Sequence, residues 1–183
     1  MKTFFFCIVF VCSLVVNAQI TKGNWLVGGD ISYFSISSDS ENLGESETSY
    51  FFLTPNLGYF FIDKLAGGVD FELRFIDPFK SVSSESYGLN PFLRYYFRDQ
   101  DKLINIFTQA TFIYGFSKNG LNAESDTIGY GLEVGSVLFF NQSVGIEFTL
   151  SYDRFENTFG EMNNSATNNQ VTLGLGFQIH LEK

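Results

Sequence analysis

Cysteine is nearly absent, and the two present, Cys7 and Cys12, both fall in the first dozen residues, so no disulfide can staple the rest of the chain. Histidine occurs once, at His180, which leaves no His pair for a metal centre and a single imidazole for acid–base chemistry. No acidic loop has calcium-ligand spacing, and no GxSxG elbow is present, so neither a cofactor nor a metal is implied. Basic residues are scarce, 11 Lys and Arg against 20 Asp and Glu for a net charge of -9, which argues against a nucleic-acid partner. Past Gln19, Gly or polar residues interrupt every apolar run, so if the chain crosses a membrane it must do so with strands.

What the chain has in excess is aromatic surface: 23 Phe and 9 Tyr, with only 17% of residues charged. That balance is unlike an ordinary soluble domain. At the N-terminus, Lys2 precedes an apolar run from Phe4 to Val16 and a small residue at Ala18. This pattern predicts a secretory signal peptide over residues 1–18, cleaved after Ala18, and one mature domain over 19–183. Removing the leader takes away only Lys2 among the charges, moving the net charge from -9 to -10.

Within the mature region the governing signal is period two. Val144, Ile146, Phe148, Leu150 and Tyr152 alternate with Gly145, Glu147, Thr149, Ser151 and Asp153. The same alternation runs through 65–76 and 170–181, the mark of strands with one apolar face. The whole chain then reads as eight strands, near 25–37, 49–61, 65–76, 87–97, 103–115, 127–140, 144–153 and 170–181, the fifth alternating least strictly. Connections alternate between long and short, with short turns at 62–64, 98–102 and 141–143. Such alternation fits an up-and-down barrel with short periplasmic turns and longer external loops. An internal repeat matches Leu53, Pro55, Leu57, Tyr59, Phe61 and Asp63 to Leu89, Pro91, Leu93, Tyr95, Phe97 and Asp99. Its aromatics would form an interfacial girdle, and its prolines are expected to mark bulges.

A soluble barrel also alternates, with its apolar face turned inward. Here the polar face is Gly, Ser, Thr, Asn and a few acids, and the lysines beyond the leader, at 22, 64, 80, 102, 118 and 183, all fall outside the proposed strands. Glycines at 28, 58, 68, 88, 131, 145 and 174 on that face suit the tight interior of a small barrel. The pattern predicts an all-β, eight-stranded antiparallel transmembrane barrel. In this architecture the chain resembles the small eight-stranded outer-membrane β-barrel family, which includes outer-membrane protein X and the membrane domain of outer-membrane protein A. The resemblance covers residues 19–183. It implies a bacterial outer-membrane location, contact with outer-membrane lipid and lipopolysaccharide, passage through the barrel-assembly machinery and a monomeric state. Members often end in an aromatic residue, whereas this chain ends Leu181, Glu182, Lys183.

The alternation turns Asp30, Asp70, Glu72, Glu133, Glu147 and Asp153 into the barrel, with Arg74, Arg94 and His180 as the available positive partners. Eight strands leave an interior that side chains just fill, so these groups are expected to pair as a luminal plug. If the third and fourth strands meet at Leu65 and Phe97, Asp70 lies diagonal to Arg94 and holds it, with Glu147 nearby. A second charged group is expected in external loops, where Asp39, Glu41, Glu45, Glu47, Asp77, Glu85, Glu124, Asp126, Glu156 and Glu161 face only Lys80, Lys118 and Arg154. The function these features imply is a structural or interaction barrel without catalysis; the alternative is a narrow channel for small solutes or ions. A lipid-modifying enzyme is disfavoured by the lone histidine.

Overall fold

Alternate residues of a strand point to opposite faces, and the period-two segments fold accordingly. The structure is a computed structural model that describes residues 20–40, 44–78, 83–99, 102–119, 124–141, 143–159 and 164–182; the expected signal peptide, 1–18, lies outside them. The described residues form eight strands: β1 (Trp25–Ser40), β2 (Gly44–Ile62), β3 (Leu65–Pro78), β4 (Ser84–Tyr96), β5 (Ile104–Asn119), β6 (Glu124–Phe139), β7 (Val144–Phe159) and β8 (Asn164–Leu181). Each pairs antiparallel with the next, and the lower end of β8 returns to β1 to close the barrel.

The apolar face points out. Leu57, Phe71, Leu89, Leu93, Ile106, Val134, Phe148, Leu150, Leu173 and Leu175 are exposed around the circumference. Meanwhile Asp70, Asn90, Arg94, Asn105, Gln109, Glu147, Gln178 and His180 are buried within. A water-soluble barrel would have the reverse arrangement. Outward aromatics stand eight residues apart on three of the strands, Trp25 and Tyr33 on β1, Phe51 and Tyr59 on β2, Tyr87 and Tyr95 on β4. At about 3.4 Å per residue and a tilt of about 40°, two such belts enclose an apolar band of roughly 20 Å, close to the height expected of a membrane barrel.

Three expectations need correction. The strands are longer than the alternation indicates. β1 continues to Ser40 and β2 begins at Gly44, β7 continues to Phe159 and β8 begins at Asn164, so the upper connections are short. The polar sequence there hides the strands, because a ladder held by backbone hydrogen bonds continues after hydrophobic alternation has stopped. Most of the acidic residues assigned to loops therefore sit on strands: Asp39, Glu45, Glu47, Asp77, Glu85, Glu124, Asp126 and Glu156. Glu41 and Glu161 lie outside the described residues. Finally, the prolines are not bulges. The β2–β3 register is the same on both sides of Pro55, and the β4–β5 register the same on both sides of Pro91; the irregularity in β2 falls between Phe60 and Ile62. Pro91 instead leaves a gap in the β4–β5 ladder, where Asn90 Oδ1 accepts the Tyr114 backbone N–H at 3.2 Å. A side-chain amide thus satisfies a donor that the interrupted ladder leaves over.

The turn end is capped by the segment before β1. Gly23 N–H donates to Phe60 O (2.8 Å) and Lys64 N–H to Ile20 O (2.7 Å), with Ile20 buried beneath the strands. Lys64, in a left-handed turn conformation, reaches Asp99 at 2.6 Å and so links two turns. The hydrogen bond that Lys64 donates to that carboxylate raises the lysine pKa above its ordinary 10.5.

Candidate functional site

The interior is layered. At the turn end Leu26, Phe60, Tyr96, Phe107, Val137 and His180 are all less than 2% exposed. Their rings form a contiguous packing: Tyr96 lies 5.8 Å from Phe60, 5.5 Å from Phe107 and 5.8 Å from His180 between centroids, and Phe139 lies 5.3 Å from His180. Glycine makes room for these rings. A Cβ at Gly135 would collide with the Phe107 ring, and one at Gly68 would collide with both Phe92 and the Leu57 carbonyl of the neighbouring strand. Both strands thus need a residue without a side chain where an aromatic ring fills the narrow lumen.

Above that layer sits an ionic knot centred on Arg94, which is 3% exposed. Its Nη1 donates to both Glu147 carboxylate oxygens at 2.8 and 3.0 Å, and its Nε donates to Gln109 Oε1 at 2.7 Å. Glu133 stands 3.7 Å from Nη2, and the guanidinium lies 4.1 Å above the Phe107 ring centroid. Gln109 Nε2 in turn donates to Asp70 Oδ2 at 3.3 Å. Arg94 is thereby held by charge-assisted hydrogen bonds to Glu147 and Gln109, by the nearby charge of Glu133 and beneath by an aromatic face, the setting in which a buried guanidinium is tolerated. Next to the knot lies a cavity of about 120 Å³ whose lining includes Asp30, Asn56, Asp70, Arg94, Glu133 and Glu147. Asn56 and Gln178 exchange side-chain amide hydrogen bonds at 3.0 and 3.5 Å, meeting where Gly28 of the intervening strand has no side chain.

The alternation assigns Asp30, Asp70, Glu72, Arg74, Arg94, Glu133 and Glu147 to the lumen, and the structure divides them into two groups. Arg94, Glu133, Glu147 and Asp70 share the knot, and Asp30 lines its cavity. Glu72 and Arg74 form a separate ion pair at 2.9 Å, with Arg74 over the Phe52 ring. Asp153 accepts a hydrogen bond from Ser151. The expected Asp70–Arg94 pairing is corrected: Leu65 lies opposite Tyr95 rather than Phe97, so Asp70 faces Asn90, and its hydrogen-bonded link to Arg94 runs through Gln109. Strands of a tilted barrel are staggered, so their lower ends do not align. Gln109 carries no charge and stands on the strand that alternates least, so only its inward position could have marked it.

His180 is enclosed by Phe60, Tyr96 and Phe139, and among the described residues neither ring nitrogen has a hydrogen-bond partner. In the upper strands Lys118 faces Glu85 on one side and Glu124 on the other, a cross-strand row of alternating charge.

No protein-family model matches the chain and no curated protein matches it. Among solved structures it is similar to Neisserial surface protein A, NspA, with a TM-score of 0.55 and 16% identity over 86% of this chain and 97% of that one. It is also similar to the outer membrane protein OprG from Pseudomonas aeruginosa, with a TM-score of 0.55 and 12% identity over 92% of this chain and 100% of that one. The likeness is one of fold, that of the small eight-stranded outer-membrane barrels.

Proposed function

We propose that the protein is a bacterial outer-membrane barrel with a structural or interaction role, whose lumen is sealed and carries no current. It would be exported by cleavage of residues 1–18 and inserted by the barrel-assembly machinery, with the turn end in the periplasm. The carrying observation is the aromatic layer of Phe60, Tyr96, Phe107 and His180 beneath the Arg94 knot. Side chains fill a small barrel's cross-section there, and a filled cross-section leaves no hydrated path. The outward apolar band between two aromatic belts supports the membrane setting. Interaction falls to the upper strands, whose acidic residues suit contact with lipopolysaccharide through divalent cations. No catalytic role is assigned to His180, because its ring is closed off from any substrate.

A narrow ion path is the competing reading, favoured by the acid-lined cavity above the knot. Purified protein in planar bilayers, with heat-modifiability on gels to show the folded barrel, tests both. Folded protein without conductance steps is expected. Discrete steps from heat-modifiable protein would overturn the sealed lumen and leave the barrel intact.

A further inference from the structure

The barrel is closed along its β1–β8 seam only near the turn end. β1 pairs with β2 along all of Trp25–Ser40, and β8 pairs with β7 along Asn164–Ile179. Yet β1 and β8 pair with each other only from Trp25 opposite Leu181 to Gly29 opposite Phe177. Above that point, among the described residues, Asp30–Ser40 of β1 and Asn164–Gly176 of β8 each have one strand edge without a partner. The outward side chains next to the seam are correspondingly bare: Ile31 is 64% exposed, Tyr33 68%, Leu173 82% and Leu175 61%.

The seam parts at a definite place. Gly29, the last paired residue of β1, has φ of 132°, a conformation that residues with a side chain rarely adopt, and a Cβ there would collide with the Thr54 carbonyl. The bend is therefore built into the strand. Protein edge strands are normally guarded by Lys, Pro or a bulge. Asn164–Gly176, NSATNNQVTLGLG, contains no charge and no proline, and Asp30–Ser40, DISYFSISSDS, contains neither Lys nor Pro. Within the apolar band an unpaired ladder is also unfavourable, since lipid offers its N–H and C=O groups nothing to bond.

We propose that this seam is a dimer interface, in which the upper β1 edge of one copy pairs with the upper β8 edge of a second copy, and the reverse. The proposal rests on the membrane-barrel reading. Two copies inserted in one membrane point the same way, so β1 of one runs antiparallel to β8 of the other, as the existing pairs do. The existing register also continues without a slip: residue numbers of partners sum to 206, as in Gly29 opposite Phe177. That places Ile31 opposite Leu175 and Tyr33 opposite Leu173, apolar against apolar on the lipid side. The two-fold axis along the membrane normal satisfies both edges at once, which is the self-complementarity a symmetric dimer requires. A dimer replaces the monomer expected from the architecture alone.

The test uses the full chain with Cys7 and Cys12 changed to alanine. Ile31→Cys in one tagged copy and Leu175→Cys in a second are co-expressed and oxidised in the membrane. Directly opposed strand residues lie within disulfide reach, so a two-chain species carrying both tags is expected. Leu93→Cys with Val134→Cys, away from the seam, should give none. Without cysteines, the protein in mild detergent should have twice the monomer mass and fall to the monomer when Val171→Lys guards the edge. Heat-modifiability reports insertion separately, so a failure to fold is not mistaken for a failure to pair. If folded protein stays monomeric and the double variant Ile31→Cys/Leu175→Cys bonds within one chain, the seam zips on itself and the proposal falls. It falls equally if no bond forms in either format, since the seam would then be open to lipid.

Discussion

Arg94 of β4 crosses the lumen to Glu147 of β7, and one guanidinium nitrogen holds both carboxylate oxygens at 2.8 and 3.0 Å. These strands are not neighbours in the sheet, so the pair fastens opposite walls of the barrel. Both side chains are nearly sealed from solvent, at 3% and 6% exposure. A bond of this kind is a poor source of net stability but costly to break on one side, because the remaining charge is left buried and unpaired.

Arg94→Ala should therefore destabilise the barrel by about 3–5 kcal/mol in urea unfolding from detergent micelles. Adding Glu147→Gln should do less harm than the two losses summed, giving a coupling energy in a double-mutant cycle. Asp70→Asn, one hydrogen bond removed through Gln109, should cost only about 1 kcal/mol. Equal coupling of Arg94 to Asp70 and to Glu147 would contradict the arrangement.

Leu150 points out and Thr149 points into the acid-lined cavity, so the same substitution at adjacent positions should have opposite consequences. A charge near the bilayer midplane on the lipid face costs roughly 2–4 kcal/mol. Leu150→Arg should sharply reduce the yield of heat-modifiable protein, whereas Thr149→Arg, placed beside Glu147 and Glu133, should be tolerated. The reverse order would mean that the faces are assigned inside out.

The fold is legible because period two fixes which face each residue takes, and the inward set from Asp30 to His180 follows from it. Strand length is not legible where both faces turn polar, as in Ser38–Ser40 at the upper end of β1. Nor is the pairing of Arg94, which depends on strand stagger and on a contact across the lumen that no neighbouring-strand register contains. Gln109, which joins Asp70 to the knot, has no charge to draw notice. The open seam is equally silent, since its edges carry the same alternation as the paired strands.

Ser83→Cys and Lys64→Cys test which end of the barrel faces out. Both positions are within reach of solvent, at opposite ends. With the turn end in the periplasm, an impermeant thiol reagent added to intact cells should label position 83 and not position 64. Labelling of position 64 alone would invert the topology.

Opening the aromatic layer should turn a silent barrel into a leak for cations. Phe107 and Tyr96 fill the lumen below the cavity, and their removal joins that cavity to the turn end. Four carboxyl groups, those of Asp30, Asp70, Glu133 and Glu147, line the cavity together with the single cation of Arg94. An excess of negative charge in a low-dielectric constriction concentrates cations. Tyr96→Ala with Phe107→Ala should therefore give conductance steps in planar bilayers, with a reversal potential in a potassium chloride gradient that marks cation preference. Deleting buried rings costs about 3–5 kcal/mol each, so heat-modifiability must first show that the double variant still folds. Arg94→Ala alone should remain silent, because the rings stay in place. Conductance from Arg94→Ala equal to that of the double variant would shift the seal from the aromatic layer to the ionic knot.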